Sequence, residues 1–371
     1  MNKPAALLLA LASSAFALDP SPNDQARFLA GMPQEGSPLV KLAERGEFRS
    51  HAKELDAMWA DAEERQFRAI REWAPLGLPE AVNSTDPLLY VFSGPDFLHA
   101  YTFFPNASTY VLAAVEPVGL PPDVTKLSEG ELGASLRNLR TTLNASLSFS
   151  FFITADMKKD LKATKLTGTL PVLYVFLARC GCHIQNVENV WLDAEGKVIT
   201  DKETKTPGAR ITFLGAKGQP QTLYYFAANI ASWALKQDPS FLRFCDSLGM
   251  MNGFTKSASY LMHLSEFSAI RDYLLMHCHT ITQDDSGITW RDFPRDTWDV
   301  KAFGWYPGPI TLFKQHLQPD LADYFGQNEV PAIPFGIGYQ WRPKQSTLIY
   351  GVSKMMVRKA IPVEEEAKVP Q

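Results

Sequence analysis

Glu116 stands 22 residues after Gly94, in the most patterned part of the chain. Leu88-Leu-Tyr-Val-Phe92 reads as a buried strand, Ser93-Gly-Pro-Asp96 as a turn that opens a helix at Pro95, and Thr109 to Val115 as a second strand ended by Glu116-Pro117. In a dinucleotide- or adenosyl-binding βαβ unit, glycines in that turn admit the ligand, and an acid ending the second strand holds the ribose. The spacing suits this role and the turn chemistry opposes it. One glycine stands where three are needed, Pro95 removes an N–H donor, and Asp96 places negative charge where a pyrophosphate would rest. The expectation is a Rossmann-like topology in which Asp96 caps its own helix, with no cofactor. Gly94, Asp96 and Glu116 are the residues that a degenerate nucleotide site would use.

The second candidate set is sulfur and imidazole. The chain has four cysteines, Cys180, Cys182, Cys245 and Cys278, and an even number in an oxidising compartment permits two disulfides. A Cys180–Cys182 bond would close a very tight ring, so pairing of each with Cys245 or Cys278 is expected. The same residues offer metal ligands for zinc or copper. Cys180-Gly-Cys182-His183 and His277-Cys278-His279 are the two segments, and His277, His279 and Asp285 would share one face of an extended chain. Neither segment has the C-x-x-C spacing of a dedicated zinc site, which favours disulfides or buried thiols over metal.

The third set lies at 283–306. Asp284-Asp285-Ser286-Gly287 reads as a tight turn whose acids bond to backbone, or as a carboxylate pair for acid–base work. Beyond it, Trp290, Trp298, Trp305 and Tyr306 are interleaved with arginines and acids. Such a mixture serves a sugar- or peptide-binding cleft if the rings are exposed, and a core if they are not. Lys256, Ser257, Ser259, Tyr260 and His263 include nucleophile and base types in no spacing that specifies a triad.

The elements that must position these residues follow from pattern. A helix is signalled by Leu55, Met58, Trp59, Ala62, Gln66, Ile70 and Trp73, with Pro75 expected to end it. Ser128-x-x-Glu131 is a capping box for a long helix with a leucine stripe from Leu132 to Leu147. Leu170 to Ala178 reads as a buried helix, and further helices are expected near 239–248 and 264–276. His183 to Trp191, Ala209 to Phe213 and Leu223 to Phe226 read as strands, and Phe335 to Trp341 with Thr347 to Tyr350 as a terminal hairpin. The fold class is α/β: a Rossmann-like, mixed, mostly parallel sheet with helices on both faces and a C-terminal β-hairpin.

Residues 1–17 follow the plan of a cleavable signal peptide, with Lys3, an apolar run from Ala5 to Phe16 and cleavage after Ala17. Residues 18–50 read as an irregular leader and 51–371 as a single α/β domain with an N-terminal helical extension. The expected location is therefore the periplasm or the exterior, and no later run is long enough to span a membrane. A net charge of −4 gives no footprint for nucleic acid.

Tyr90-Val-Phe-Ser-Gly-Pro-Asp-Phe97, Tyr110 to Gly119, Lys256-Ser-Ala-Ser-Tyr-Leu-Met-His263 and Gln283-Asp-Asp-Ser-Gly-Ile288 together resemble motifs of an uncharacterised family of exported bacterial proteins. The resemblance implies export and one fold over most of the mature chain, and it carries no activity. The leading functional expectation is a non-catalytic binding or interaction protein of the cell envelope, meeting a glycan, peptide or protein. The alternatives are an extracytoplasmic hydrolase or metal-dependent enzyme and a degenerate nucleotide-binding protein.

Overall fold

The computed structural model describes residues 19–33, 35–149, 165–201 and 206–355; the expected signal peptide lies outside them. Ten strands among these residues form one mixed sheet. They are β1 (Leu88–Val91), β2 (Thr109–Ala114), β3 (His183–Leu192), β4 (Val198–Ile199), β5 (Pro207–Leu214), β6 (Pro220–Ala227), β7 (Met251–Thr255), β8 (Cys278–Gln283), β9 (Trp298–Gly304) and β10 (Thr347–Ser353). Their spatial order is β4-β3-β5-β6-β2-β1-β7-β8-β10-β9. The five central strands, β6, β2, β1, β7 and β8, are all parallel. β10 runs against both β8 and β9, and β5 against β6.

The innermost strands β1 and β2 are almost wholly apolar and buried on both faces. Side chains alternate across a strand. Leu88 and Tyr90 of β1 accordingly join one apolar cluster, with Phe28, Leu55, Leu136 and Phe176. Leu89 and Val91 join another, with Leu235, Phe241, Ile270 and Leu321.

Three elements differ from the sequence expectation. The leader at 18–50 holds a buried helix, Pro22–Leu29, started by a reciprocal capping box between Ser21 and Asp24. Its Ala26, Phe28 and Leu29 are fully buried. The helix predicted to stop at Pro75 runs on to Gly77, because Pro75 lies near the end of Arg68–Gly77 and disturbs only its last turns. Upstream, a π-helical turn at Glu63–Phe67 joins this helix to Gly46–Ala62. Thirdly, the terminal hairpin does not form. Phe335 to Trp341 contains only an isolated bridge between Ile337 and Gln340, and β10 pairs instead with the distant β8 and β9.

Candidate functional site

The chain crosses the sheet in two directions from β1. One βαβ connection, through the helix Phe97–Phe103, leads to the neighbour β2, and the path from β6 returns across β1 to β7 on its other side. In open α/β sheets such a reversal leaves a crevice at the carboxyl ends of the strands, where ligands bind. A cavity of about 540 Å³ lies there. Its lining includes Gly94 after β1, Glu116 after β2, Asn229 after β6 and Lys256 after β7, with Leu312 and Phe313 of the 3-10 segment Thr311–His316 on one wall.

Asp96 organises the floor. It is the N-cap of the helix Phe97–Phe103 and accepts the His99 backbone N–H at 3.2 Å. Its carboxyl also accepts from the Tyr90 hydroxyl at 2.9 Å, contacts His99 Nδ1 at 2.9 Å, and pairs with Lys256 Nζ at 3.0 Å. All four residues are buried. Burial alone would raise the Asp96 pKa, but its contacts with His99 and Lys256 outweigh it and hold the group below the usual carboxylate range. His99 itself is pushed down by burial and is neutral near pH 7. The attraction that keeps Asp96 ionised there therefore comes from Lys256, with His99 supplying a hydrogen bond. Behind His99, the Gln66 amide lies 3.2 Å from its Nε2 and donates to the Gly336 carbonyl at 2.6 Å. The π-helical turn is what brings Gln66 inward to make these contacts.

The wall after β7 is a turn with unusual backbone. Of the five non-glycine residues with positive φ among the described residues, Phe92 (58°), Ser257 (52°) and Ser259 (51°) line the cavity, and Tyr260 (56°) continues the turn that Ser257 begins. Such conformations persist only where the surroundings over-determine them, and they cluster at ligand sites. Here the surroundings are explicit. Asp284 accepts from the Ser257 N–H at 2.9 Å, Ser286 Oγ from the Ala258 N–H at 2.7 Å, and Asp285 from the Tyr260 hydroxyl at 2.7 Å. Tyr339 donates to the Ser257 carbonyl at 2.9 Å. Gly338, at φ 73°, passes so close over Asp284 that a Cβ would collide with the carboxyl. Both acids are buried, and that burial pushes both pKa values up, with Asp284 adding its charge against Asp285. The Asp284–Asp285 pair thus braces the turn from behind, Asp284 by accepting from backbone N–H groups and Asp285 by accepting from the Tyr260 hydroxyl.

Two cavity residues carry buried polar atoms with no hydrogen-bond partner, Glu116 Oε2 and Ser257 Oγ. Glu116 is 2% exposed, and its backbone carbonyl accepts from the Tyr225 hydroxyl at 3.0 Å. Glu116 Oε2 and Ser257 Oγ are themselves closed off, so they sit behind the cavity surface that the rest of each residue lines. β2 and β7 flank β1, which puts the residues following them two strand spacings apart, roughly 10 Å.

The other predicted residues are dispersed. Cys182 joins the apolar cluster that contains Leu88, with Cys180 packed against it, whereas Cys245 and Cys278 belong to the cluster that contains Leu89. All four thiols are free, contrary to the expected disulfides, because the two segments pack in different clusters. Burial raises all four thiol pKa values, that of Cys182 to about 12. The metal arrangement fails for the same reason. His183 is exposed, His277 lies 3.7 Å from Asp246, and His279 lies 3.9 Å from Asp86. His279 is the second residue of β8 and Asp285 lies beyond its far end, so they stand roughly 20 Å apart. Among the described residues no group of three or more His, Cys, Asp or Glu could hold a metal. Trp290 and Trp298 are buried, the first beneath Arg295 and against Tyr324, the second against Phe293. Trp305 is exposed and Tyr306 half-buried, so the four rings form no common platform.

Gly94, Asp96 and Glu116 meet at one cavity, as their spacing allowed. Lys256 and Ser257 join them from a strand more than 130 residues further on, which local pattern does not reveal. His99 was accessible to reasoning, since a base three residues after an N-cap acid faces it. Comparison with family models, curated proteins and solved structures finds no match.

Proposed function

We propose that this chain is a small-molecule-binding protein with a Rossmann-like core, and that its ligand is a nucleoside whose ribose hydroxyls donate to Glu116. The observation that carries the reading is the position of Glu116, which lines the cavity directly after the second parallel strand. That is where an acid holds a ribose in dinucleotide-binding units. The apolar part of the wall, with Phe313, Leu312 and Ile230, suits a flat base.

The same geometry argues for a nucleoside over a dinucleotide. The N-terminus of the helix Phe97–Phe103 is where a pyrophosphate would rest, and the protein's own Asp96 already caps it. A ligand without phosphates is also the form consistent with the proposed export. Binding rather than nucleophilic catalysis is favoured because Ser257 Oγ has no hydrogen-bonded base.

A second reading is favoured by the strand order. Numbered along the chain with the β3–β5 insertion set aside, the strands run 3-2-1-4-5-7-6, the seventh reversed. A sheet that reverses beside its first strand in this way takes ligands at the carboxyl ends of its strands, and an adenosyl donor would occupy the same cavity.

Calorimetric titration with adenosine, 2′-deoxyadenosine and S-adenosylmethionine tests both readings. The wild type should bind adenosine more tightly than its 2′-deoxy analogue. Glu116→Ala should weaken adenosine by roughly tenfold or more, the worth of a hydrogen bond to a charged group. Equal affinity of wild type and Glu116→Ala for adenosine, or no binding of any of the three, refutes the nucleoside. Tighter binding of S-adenosylmethionine than of adenosine supports the second reading over the first.

A further inference from the structure

β6 lies beside β2 in parallel, with Ala227 opposite Ala114 at their carboxyl ends. The pairing continues one step further, where the Ala228 N–H donates to the Ala114 carbonyl at 2.8 Å. Glu116 and Asn229 each stand two residues past the end of their strand. They therefore leave the sheet side by side, roughly one strand spacing or about 5 Å apart, and both line the cavity. Val115 and Ile230, which adjoin them in sequence, are apolar and line it too.

Glu116 is buried, whereas Asn229 is exposed. The chain itself holds the Asn229 amide in one orientation. Its Oδ1 accepts the Ala231 N–H at 3.1 Å, an Asx turn across the bend by which the chain leaves β6. A backbone N–H can only donate, so the atom facing it is the amide oxygen, and Nδ2 points the other way. Nδ2 donates to no other group among the described residues. Beside the acid at the end of β2 there is thus an oriented donor at the end of β6.

A nucleoside presents the matching pair. Its ribose hydroxyls are donors, and the base acceptor nearest the sugar, N3 of adenine or O2 of a pyrimidine, lies alongside the 2′-hydroxyl. A ribose that donates to Glu116 brings this acceptor within reach of the neighbouring strand end. We infer that Asn229 is a specificity-determining residue whose Nδ2 donates to the sugar-edge acceptor of the base, so that Glu116 and Asn229 read ribose and base together. The inference rests on the nucleoside reading and adds which edge of the base is recognised.

Calorimetric titration of the full chain with adenosine, 3-deazaadenosine and 7-deazaadenosine tests it, at mildly alkaline pH where all three bases are neutral. Replacing N3 by C–H removes the acceptor in question, and replacing N7 removes one on the opposite side of the base. The wild type should bind adenosine roughly two- to tenfold more tightly than 3-deazaadenosine, the worth of a neutral hydrogen bond. It should bind 7-deazaadenosine about as well as adenosine. Asn229→Asp keeps an oxygen for the Ala231 N–H and puts an acceptor where the donor was, so the preference for adenosine over 3-deazaadenosine should vanish or reverse. The added charge weakens both ligands alike and leaves their ratio untouched. An asparagine with a purely structural role would lower both affinities and preserve the ratio. Asn229→Ser, which keeps a hydroxyl for the turn and lacks the amide, gives the same test if the aspartate variant fails to fold. Equal affinity of the wild type for adenosine and 3-deazaadenosine, a loss confined to 7-deazaadenosine, or a preference that survives the substitution overturns the inference. Should adenosine bind through Glu116 without discrimination at N3, the role of Asn229 falls and the nucleoside stands; no binding of adenosine removes both.

Discussion

Replacing Lys256 with Met tests the charge arrangement at the cavity floor. In the native protein the ammonium and the Asp96 carboxyl are 3.0 Å apart, each side chain only 2% exposed. Removing one member of such a pair leaves the other buried without its counter-charge, which typically costs about 3–5 kcal/mol. The Tyr90 and His99 hydrogen bonds to Asp96 remain, so the lower part of that range is expected. Asp96→Asn is the complementary change. Asn keeps the N-cap and can still accept from Tyr90, so the loss isolates the charge. The double variant removes both charges and should be more stable than the sum of the single losses predicts, by about 1–3 kcal/mol of coupling. Urea denaturation of the four proteins near pH 7 measures this directly. The pH dependence gives a second check. A carboxyl whose folded pKa is depressed contributes stability above its unfolded pKa of about 3.9 and loses that contribution as pH falls through the folded value. Without Lys256 the depression is reduced, so the deficit of Lys256→Met should be largest at neutral pH and should shrink towards the carboxylate range. Additivity of the two single changes within about 0.5 kcal/mol would refute the reasoning.

Asp284 and Asp285 predict the opposite slope. Their folded pKa values are raised by burial, so the stability they allow is fully present below about pH 4 and is lost as pH rises through the raised values. Thermal midpoints at about pH 5 and pH 8 should therefore differ less in Asp285→Asn than in the wild type; an unchanged difference counts against the buried pair. Gly338→Ala should lower the midpoint, because the residue combines positive φ with a close approach to Asp284, and a neutral outcome would contradict that packing. All four cysteines should react with a thiol reagent in denaturant without added reductant, and Cys245 and Cys278 should be silent in the native state. Fewer than four reactive thiols on unfolding would mean that a disulfide forms in the purified protein.

What was legible in the sequence is what short-range physics determines. The runs Leu88–Val91 and Thr109–Ala114 have side chains suited to strands buried on both faces, and they are the central parallel pair. Ser128 and Glu131 form their capping box through hydrogen bonds in both directions. Glu116 was found by spacing, because one βαβ unit fixes the distance from Gly94 to the end of the next strand. The misses arise where distant segments decide. Thr347–Ser353 looks like half of a local hairpin, yet its partners lie at 278–283 and 298–304. The two Cys/His segments read as one constellation because sequence does not reveal which cluster each joins. The helix Pro22–Leu29 was hidden among prolines, although Pro22 occupies a first helical position that accepts it.

The π-helical turn at Glu63–Phe67 has a consequence for how this protein tolerates change in length. An α-helix advances about 100° per residue, so one added residue would put the segments on either side of it out of phase unless a wider turn absorbs it. Gly46–Ala62 buries Phe48 and Leu55, and Arg68–Gly77 buries Ile70 and Ala74; the turn lets both stripes face inward. Deleting one residue of Glu63–Phe67 other than Gln66 would remove that extra residue, restore a regular helix and leave both stripes facing inward. What it would take away is the local widening that holds Gln66 against His99 and the Gly336 carbonyl. The loss would fall on the rear support of the cavity floor while the helix and its packing stay intact.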